Sequence, residues 1–223
     1  MSESGILNED LKLKIFDNLK ELSTMEGNIL GAAREREVKT ILVTSCNPLE
    51  GKTITAISMA FALAAKSNYR VILVDGNLQS PRIHELFNVV PFPGLSELLT
   101  LKTEIKEVAR GTDLGNLVII PHGSDTYKKL DSFDPETFRD KLDYIKQNSD
   151  YVIFDAQSVS GTSDVPIISK YFDGIIFVVE CEKTRWEVLQ QAKERISSIG
   201  GNILGVVLNK RIYYIPERLY AKV

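Results

Sequence analysis

Apolar residues in this chain fall into short continuous runs, separated by longer stretches in which they recur every three or four positions. The runs are Thr40–Thr44, Val71–Val74, Leu117–Ile120, Tyr151–Phe154, Gly174–Val179 and Ile203–Leu208. Each is too short for a typical helix, and none alternates as a half-solvated strand does, so each predicts a strand buried on both faces. Between them, Thr53–Lys66 places Ile57, Ala60, Phe61 and Ala64 on one helical face. A second helix is predicted to open at Asp134, with Pro135 in the first helical position and Phe138, Leu142 and Ile145 on its apolar stripe. A third opens with Thr184-Arg185-Trp186-Glu187, which reads as a capping box, and closes at Gly200-Gly201. Upstream, Asn8 to about Arg36 reads as helical, with Leu11, Ile15, Leu19, Leu22 and Ile29 on one face and Gly27 and Gly31 as breaks. Strands alternating with helices predict the α/β class: a mostly parallel sheet, flanked by helices on both faces and joined by right-handed crossovers.

Composition leaves that picture intact. A chain of 223 residues suits one α/β domain, with 43% hydrophobic and 26% charged residues. A net charge of −3 gives no footprint for nucleic acid. The two cysteines, Cys46 and Cys181, do not make a disulfide framework and fit a reducing compartment. The longest apolar runs are too short to span a bilayer and the first ten residues do not resemble a signal peptide, so a cytoplasmic protein without direct membrane insertion is expected.

Candidate chemistry follows the first strand. Ser45-Cys46-Asn47-Pro48-Leu49-Glu50-Gly51-Lys52-Thr53 joins a buried strand to an Ala-rich helix, which is the setting of a P-loop. Unpaired N–H groups at a helix start attract phosphate, and Gly51 lets the backbone approach it closely. Lys52 brings a mobile positive charge, and the Thr53 hydroxyl can ligate Mg2+. The first position of the full pattern, normally Gly, is Cys46. The expected nucleotide contacts are Asn47, Pro48, Leu49, Glu50, Gly51, Lys52, Thr53 and Ile54, with ATP or ADP and Mg2+ as ligands. Asp75 and Asp155 each end a strand, and in a parallel sheet both project from the P-loop's edge. They are candidates for the metal, with Thr53, and for catalysis, with Lys52; the alternative for each is a cap on the following helix. Cys46 lies where a helix start favours a thiolate, so a redox switch is one reading and a small residue tolerated in a loop is the alternative. His84 and His122 have no Cys or His at metal spacing, which argues against zinc. Lys210-Arg211 reads as a solvated basic step, and Trp186 as core or interface.

The order of these motifs resembles the bacterial tyrosine kinases (BY-kinases) of polysaccharide export, within the deviant P-loop ATPases that include septum-site and partitioning proteins. The similarity runs from about Asn28 to Asn209, through Asp75-Gly-Asn77-Leu-Gln79-Ser-Pro81, Gly94-Leu-Ser-Glu-Leu-Leu99, Ile120-Pro-His-Gly123 and Leu204-Gly-Val-Val-Leu-Asn209. The resemblance implies that Lys52 and Thr53 bind ATP·Mg, that Asp75 acts near the γ-phosphate, that Asp155 is the second acidic motif, and that Asn209 lies where a residue contacts adenine. For Asn209 a plain strand-end turn is the alternative. The resemblance also implies a membrane-embedded polysaccharide co-polymerase or activator as partner, recruitment to the inner face of the membrane, a possible homo-oligomer, and tail tyrosines Tyr213, Tyr214 and Tyr220 as phosphoacceptors. The chain then divides into a helical segment packing on the core (1–36), a P-loop kinase-like domain (37–212) and a short tail (213–223). Departures occur at Leu49, Asn77 and Gln79, where the family has Gly, Asp and Arg, at Ala156-Gln157-Ser158, and at Lys20-x-x-Ser23-x-x-Glu26, which lacks the arginines of the assembly motif. They bear on phosphoryl transfer and ring assembly more than on nucleotide binding. They leave open a catalytically weakened, nucleotide-binding regulatory module. A partitioning-type ATPase is disfavoured, because that group's signature lysine would fall at Asn47.

Overall fold

The computed structural model describes residues 5–17, 24, 27, 31, 37–67, 69–101, 103–124 and 134–211. Tyr213, Tyr214 and Tyr220 lie outside these residues, as do Leu19, Leu22, Ile29 and the motif residues Lys20, Ser23 and Glu26. All six anticipated strands are present: β1 (Thr40–Ser45), β2 (Val71–Asp75), β4 (Leu117–Ile120), β5 (Tyr151–Ser158), β6 (Gly174–Glu180) and β7 (Ile203–Asn209). A two-residue strand β3 (Arg110–Gly111) completes a seven-stranded sheet of order β3-β4-β2-β5-β1-β6-β7. Every pairing is parallel except β3 with β4. The sequence gives no sign of β3, because two residues are too few to carry a period.

Strand geometry sends successive side chains to opposite faces, so the apolar runs feed two cores, except that β7, expected to be buried on both faces, is an edge strand with Val206 and Leu208 exposed. Leu42, Ile72, Val74, Val152, Phe154 and Phe177 face the layer formed by the helices Leu95–Thr100, Pro135–Gln147, Asp164–Ser169 and Trp186–Ser197. Ile41, Val43, Leu73, Ile153, Ile176 and Val178 face the helix Lys52–Ser67, whose Ala56, Ala60 and Ala64 allow a close approach to the sheet. The helix Glu9–Asp17 joins this second layer through buried Leu11 and Ile15.

Helix starts divide into one expected and one corrected. Asp134 caps Pro135–Gln147 as the sequence suggests, its carboxylate accepting from the Thr137 N–H at 2.8 Å. The capping box at Thr184 does not form. The helix Trp186–Ser197 starts one residue after Arg185, with no side-chain cap. The Thr184 hydroxyl instead accepts from the Glu180 N–H at 3.2 Å and donates to the buried Glu50 carboxylate. A buried carboxylate needs that donor more than a solvated helix end does. Trp186 is neither core nor covered among the described residues; it is 65% exposed.

Asp173 ties the amino-terminal edge of the sheet together. Its Oδ2 accepts from the Lys39 and Thr40 N–H groups and the Thr40 hydroxyl at 2.8–2.9 Å, and its Oδ1 from Lys146 Nζ at 2.7 Å. Burial alone would raise its proton affinity, but these donors hold its carboxyl below the usual range. The stabilisation is therefore present above the ordinary carboxylate pKa and is lost as pH falls through the depressed one. Asp173→Ala leaves several donors unpaired and is expected to destabilise the fold by about 2–4 kcal/mol in urea titration; a change within ~0.5 kcal/mol would refute this role.

Candidate active site

β1 lies centrally in the sheet, and its carboxyl end runs into the loop Cys46–Gly51 and then directly into the helix Lys52–Ser67. Two residues of the loop have left-handed backbones, Leu49 at φ 66° and Gly51 at φ 98°. Such reversals turn successive N–H groups inward and make a concavity suited to an anion. Gly51 is required twice over: its φ suits glycine, and a Cβ there would collide with the Asn209 side-chain amide. Leu49 has no such release. It holds the unfavourable conformation with its side chain 82% exposed.

A buried network fixes the loop's shape. The Glu50 carboxylate is 3% exposed; it accepts from the Asn47 N–H at 2.9 Å, from Asn47 Nδ2 at 3.2 Å and from Thr184. Asn209 Nδ2 donates to the Glu50 carbonyl at 2.8 Å. Lys210 Nζ donates to the Leu49 carbonyl at 2.7 Å and pairs with Glu180 at 3.0 Å. Lys210, exposed as a solvated basic step is expected to be, is also a brace between β6, β7 and the loop. These supports escaped the sequence because Thr184 and Lys210 are remote from the loop in the chain. The acidic residue before Gly51 was the available signal for a donor network.

Lys52 is 8% exposed. Burial lowers its proton affinity, while Asp155 and Glu50 favour its charge. The Thr53 hydroxyl donates to Asp155 Oδ2 at 2.7 Å. Asp75 and Asp155 stand in register on neighbouring strands, both fully buried. Asp75 Oδ2 accepts from the Ile83 N–H at 3.0 Å, so one oxygen does cap the short helix Ile83–Leu86. The Oδ1 atoms of both aspartates are buried without a hydrogen-bond partner. Burial pushes Asp155 up to about 7, against the pull of Thr53 and Lys52. Burial, then the neighbouring Asp155, raises Asp75 well above the carboxylate range, against the N–H groups of Ile83, Asn77 and Arg82. Two incompletely bonded buried carboxylates beside a hydroxyl and a lysine fit a divalent cation held by oxygen.

The structure thus brings Lys52, Thr53, Asp75 and Asp155 to one sheet edge, with Asn47, Glu50 and Asn209 shaping the loop from behind. Pro48 and Leu49 form its exposed tip, and Ile54 is 41% exposed on the helix. Cys46 is buried, and burial followed by Glu50 pushes its thiol up to about 12, which removes the thiolate a redox switch needs. His84 and His122 have no metal spacing along the chain, yet the fold brings one ligand atom each from Asp75, His84 and His122 within 4.8 Å of one another.

Two outcomes are expected from this geometry. Leu49→Gly relieves the left-handed strain against a gain in unfolded-chain entropy, and should leave thermal stability unchanged or raised by up to about 1 kcal/mol. Asp155 binds its proton more tightly in the folded than in the unfolded chain, so its contribution is full below the ordinary carboxylate pKa and disappears as pH rises through about 7. Without nucleotide or divalent cation, the melting temperature should fall across that window, and Asp155→Asn should flatten the slope; identical slopes would overturn the assignment.

A family profile described as an AAA domain matches residues 38–208, more than half of the chain. Tyrosine-protein kinase CpsD of Streptococcus pneumoniae serotype 4 is 30% identical over 175 residues, which cover 78% of this chain and 77% of that one. Tyrosine-protein kinase YwqD of Bacillus subtilis is 26% identical over 192 residues, covering 86% and 81% respectively. Among solved structures, the chimerical protein CapA2B2 superposes with a TM-score of 0.79 at 25% identity, covering 94% of each chain. Its P-loop geometry and its likeness to kinases over most of their length lead to one assignment: the chain belongs to the BY-kinase family of bacterial tyrosine kinases, nucleotide-binding P-loop proteins of the AAA type.

Proposed function

We propose that this chain binds ATP with Mg2+ at the Cys46–Thr53 loop and transfers the γ-phosphate to tyrosine, in the control of exopolysaccharide or capsule biosynthesis and export. One observation carries the reading: the Thr53 hydroxyl is bonded to Asp155, and Asp155 is in register with Asp75, at the mouth of a loop that presents Lys52. Thr53, Asp155 and Asp75 would hold the cation, whose charge neutralises the β- and γ-phosphates. The amides opening the helix at Lys52 donate to phosphate oxygens, and Lys52 adds charge where it develops during transfer. The Asn209 side-chain Oδ1 remains an acceptor for the adenine amino group, while its Nδ2 donates to the Glu50 carbonyl. A tyrosine hydroxyl attacks the γ-phosphorus, the bond to the bridging oxygen breaks, and ADP leaves. Asp75, whose Oδ1 has no hydrogen-bond donor, takes the hydroxyl proton. The proposed acceptors are Tyr213, Tyr214 and Tyr220, on this chain or on another copy in a homo-oligomer. The proposed partner is a membrane-embedded polysaccharide co-polymerase or activator that recruits the chain to the inner face of the membrane. The comparisons with kinases support the activity. No helix among the described residues is long and apolar enough to cross a membrane, which fits recruitment by a partner.

Asn77 favours a second reading, a regulatory module that binds nucleotide and transfers slowly. It is 7% exposed and neutral where the family pattern calls for an acid, so the site has one carboxylate fewer to bind metal or take a proton. Phosphotyrosine measured by mass spectrometry after incubation with Mg·ATP and the membrane activator separates the two. Lys52→Met should reduce the signal by about 100-fold or more, and Asn77→Asp should raise it. Nucleotide binding by calorimetry with no phosphotyrosine in either the parent or Asn77→Asp selects the regulatory module. Loss of both binding and transfer in the parent overturns the site.

A further inference from the structure

The chain contains two histidines, and the fold brings both to the same place. His122 follows β4, His84 sits on the helix Ile83–Leu86, and Asp75 ends β2, the strand paired with β4. The imidazole centroids of His84 and His122 are 4.8 Å apart, with their planes inclined at 50°. One ligand atom from each of the three side chains lies within 4.8 Å of the other two. Asp75 is fully buried, His122 is 5% exposed and His84 is half-buried.

A second observation points to a ligand. Asp75 is fixed through Oδ2 by the Ile83 N–H, while its Oδ1 is buried without a hydrogen-bond partner. A carboxylate oriented by one oxygen and open at the other is a common arrangement around a bound metal. It is costly with nothing there.

We propose that Asp75, His84 and His122 form a site for a borderline divalent transition-metal ion, with Zn2+ as its reference occupant.

The donor set selects the metal class. Two imidazoles and one carboxylate suit Zn2+, Co2+ or Ni2+, whereas Mg2+ prefers oxygen throughout. Zn–N and Zn–O bonds of about 2.0–2.2 Å place tetrahedral ligand atoms roughly 3.3–3.5 Å apart, so small side-chain rotations close the present spacing around an ion. Three protein ligands leave a fourth position for water or an incoming group. The site shares Asp75 with the nucleotide-associated cation, so a transition metal here competes for that carboxylate. Its existence does not require the chain to bind ATP.

The test uses the full chain without a histidine tag, nucleotide or Mg2+. Titration with Co2+ should give one equivalent of tetrahedral d–d absorption, displaced by Zn2+, and calorimetry with Zn2+ should give a stoichiometry of one. His84→Ala and His122→Ala should each weaken binding by at least about tenfold, with thermal melts confirming that the variants fold. Where a variant does not fold, zinc-edge X-ray absorption on the parent takes its place and should count two imidazole ligands. Absent d–d bands, thiolate charge-transfer bands, unchanged affinity in both folded variants, or fewer than two imidazoles would each overturn the proposal. Because no nucleotide is present, a negative result leaves the kinase reading untouched, and a failure of phosphorylation leaves this site untouched.

Discussion

Asp75 and Asp155 lie side by side on adjacent parallel strands, out of contact with water, and each has one oxygen without a donor. Ionising either one in that setting is unfavourable, and ionising both compounds the cost through their mutual repulsion. The surrounding residues act on this one electrostatic problem. Thr53 donates to one carboxylate, Lys52 adds a positive charge, and the backbone at Ile83 donates to the other. They leave one oxygen of each carboxylate without a donor, which suits a divalent cation. The site is therefore built around a charge deficit, and the fold's rigidity keeps the two carboxylates from escaping it.

That rigidity comes from strands buried on both faces. Because β2, β5 and β1 are covered by apolar layers on each side, their ends cannot shift without disturbing two cores at once. The loop after β1 is held equally firmly by polar contacts. Glu50 folds back onto Asn47, Thr184 reaches it from the segment after β6, and Asn209 and Lys210 close on it from the end of β7. Donors from three segments, the loop itself, the stretch after β6 and the end of β7, thus fix the backbone's course.

Much of this was legible in the chain. The strands could be read because buried parallel strands show unbroken apolar runs. Gly51-Lys52-Thr53 could be read because of its place between a strand and a helix. Asp75 could be read as a strand end; Asp155 could not, because β5 runs on past it to Ser158. What could not be read depends on contacts between distant segments. Thr184 had a sound local signature for a capping box, yet a buried carboxylate from the phosphate loop took its hydroxyl. Lys210 looked like a solvated charge because nothing nearby in sequence needed it. His84 and His122 had no metal spacing because their proximity is a product of β2 pairing with β4. Leu49 carried a departure from the family's glycine, but only its φ shows that the backbone kept the glycine-like conformation and accepted the strain.

Placing both imidazoles of the chain beside Asp75 also makes this edge of the sheet unusually easy to observe. In a proton spectrum the histidine ring C–H resonances stand apart from the other aromatic lines, and here they comprise only two residues. Neither resonance has a distant surface histidine to be confused with. Whatever reaches the ends of β2 and β4, whether nucleotide, ion or neighbouring chain, changes the ring current and charge at these two reporters without any label being introduced.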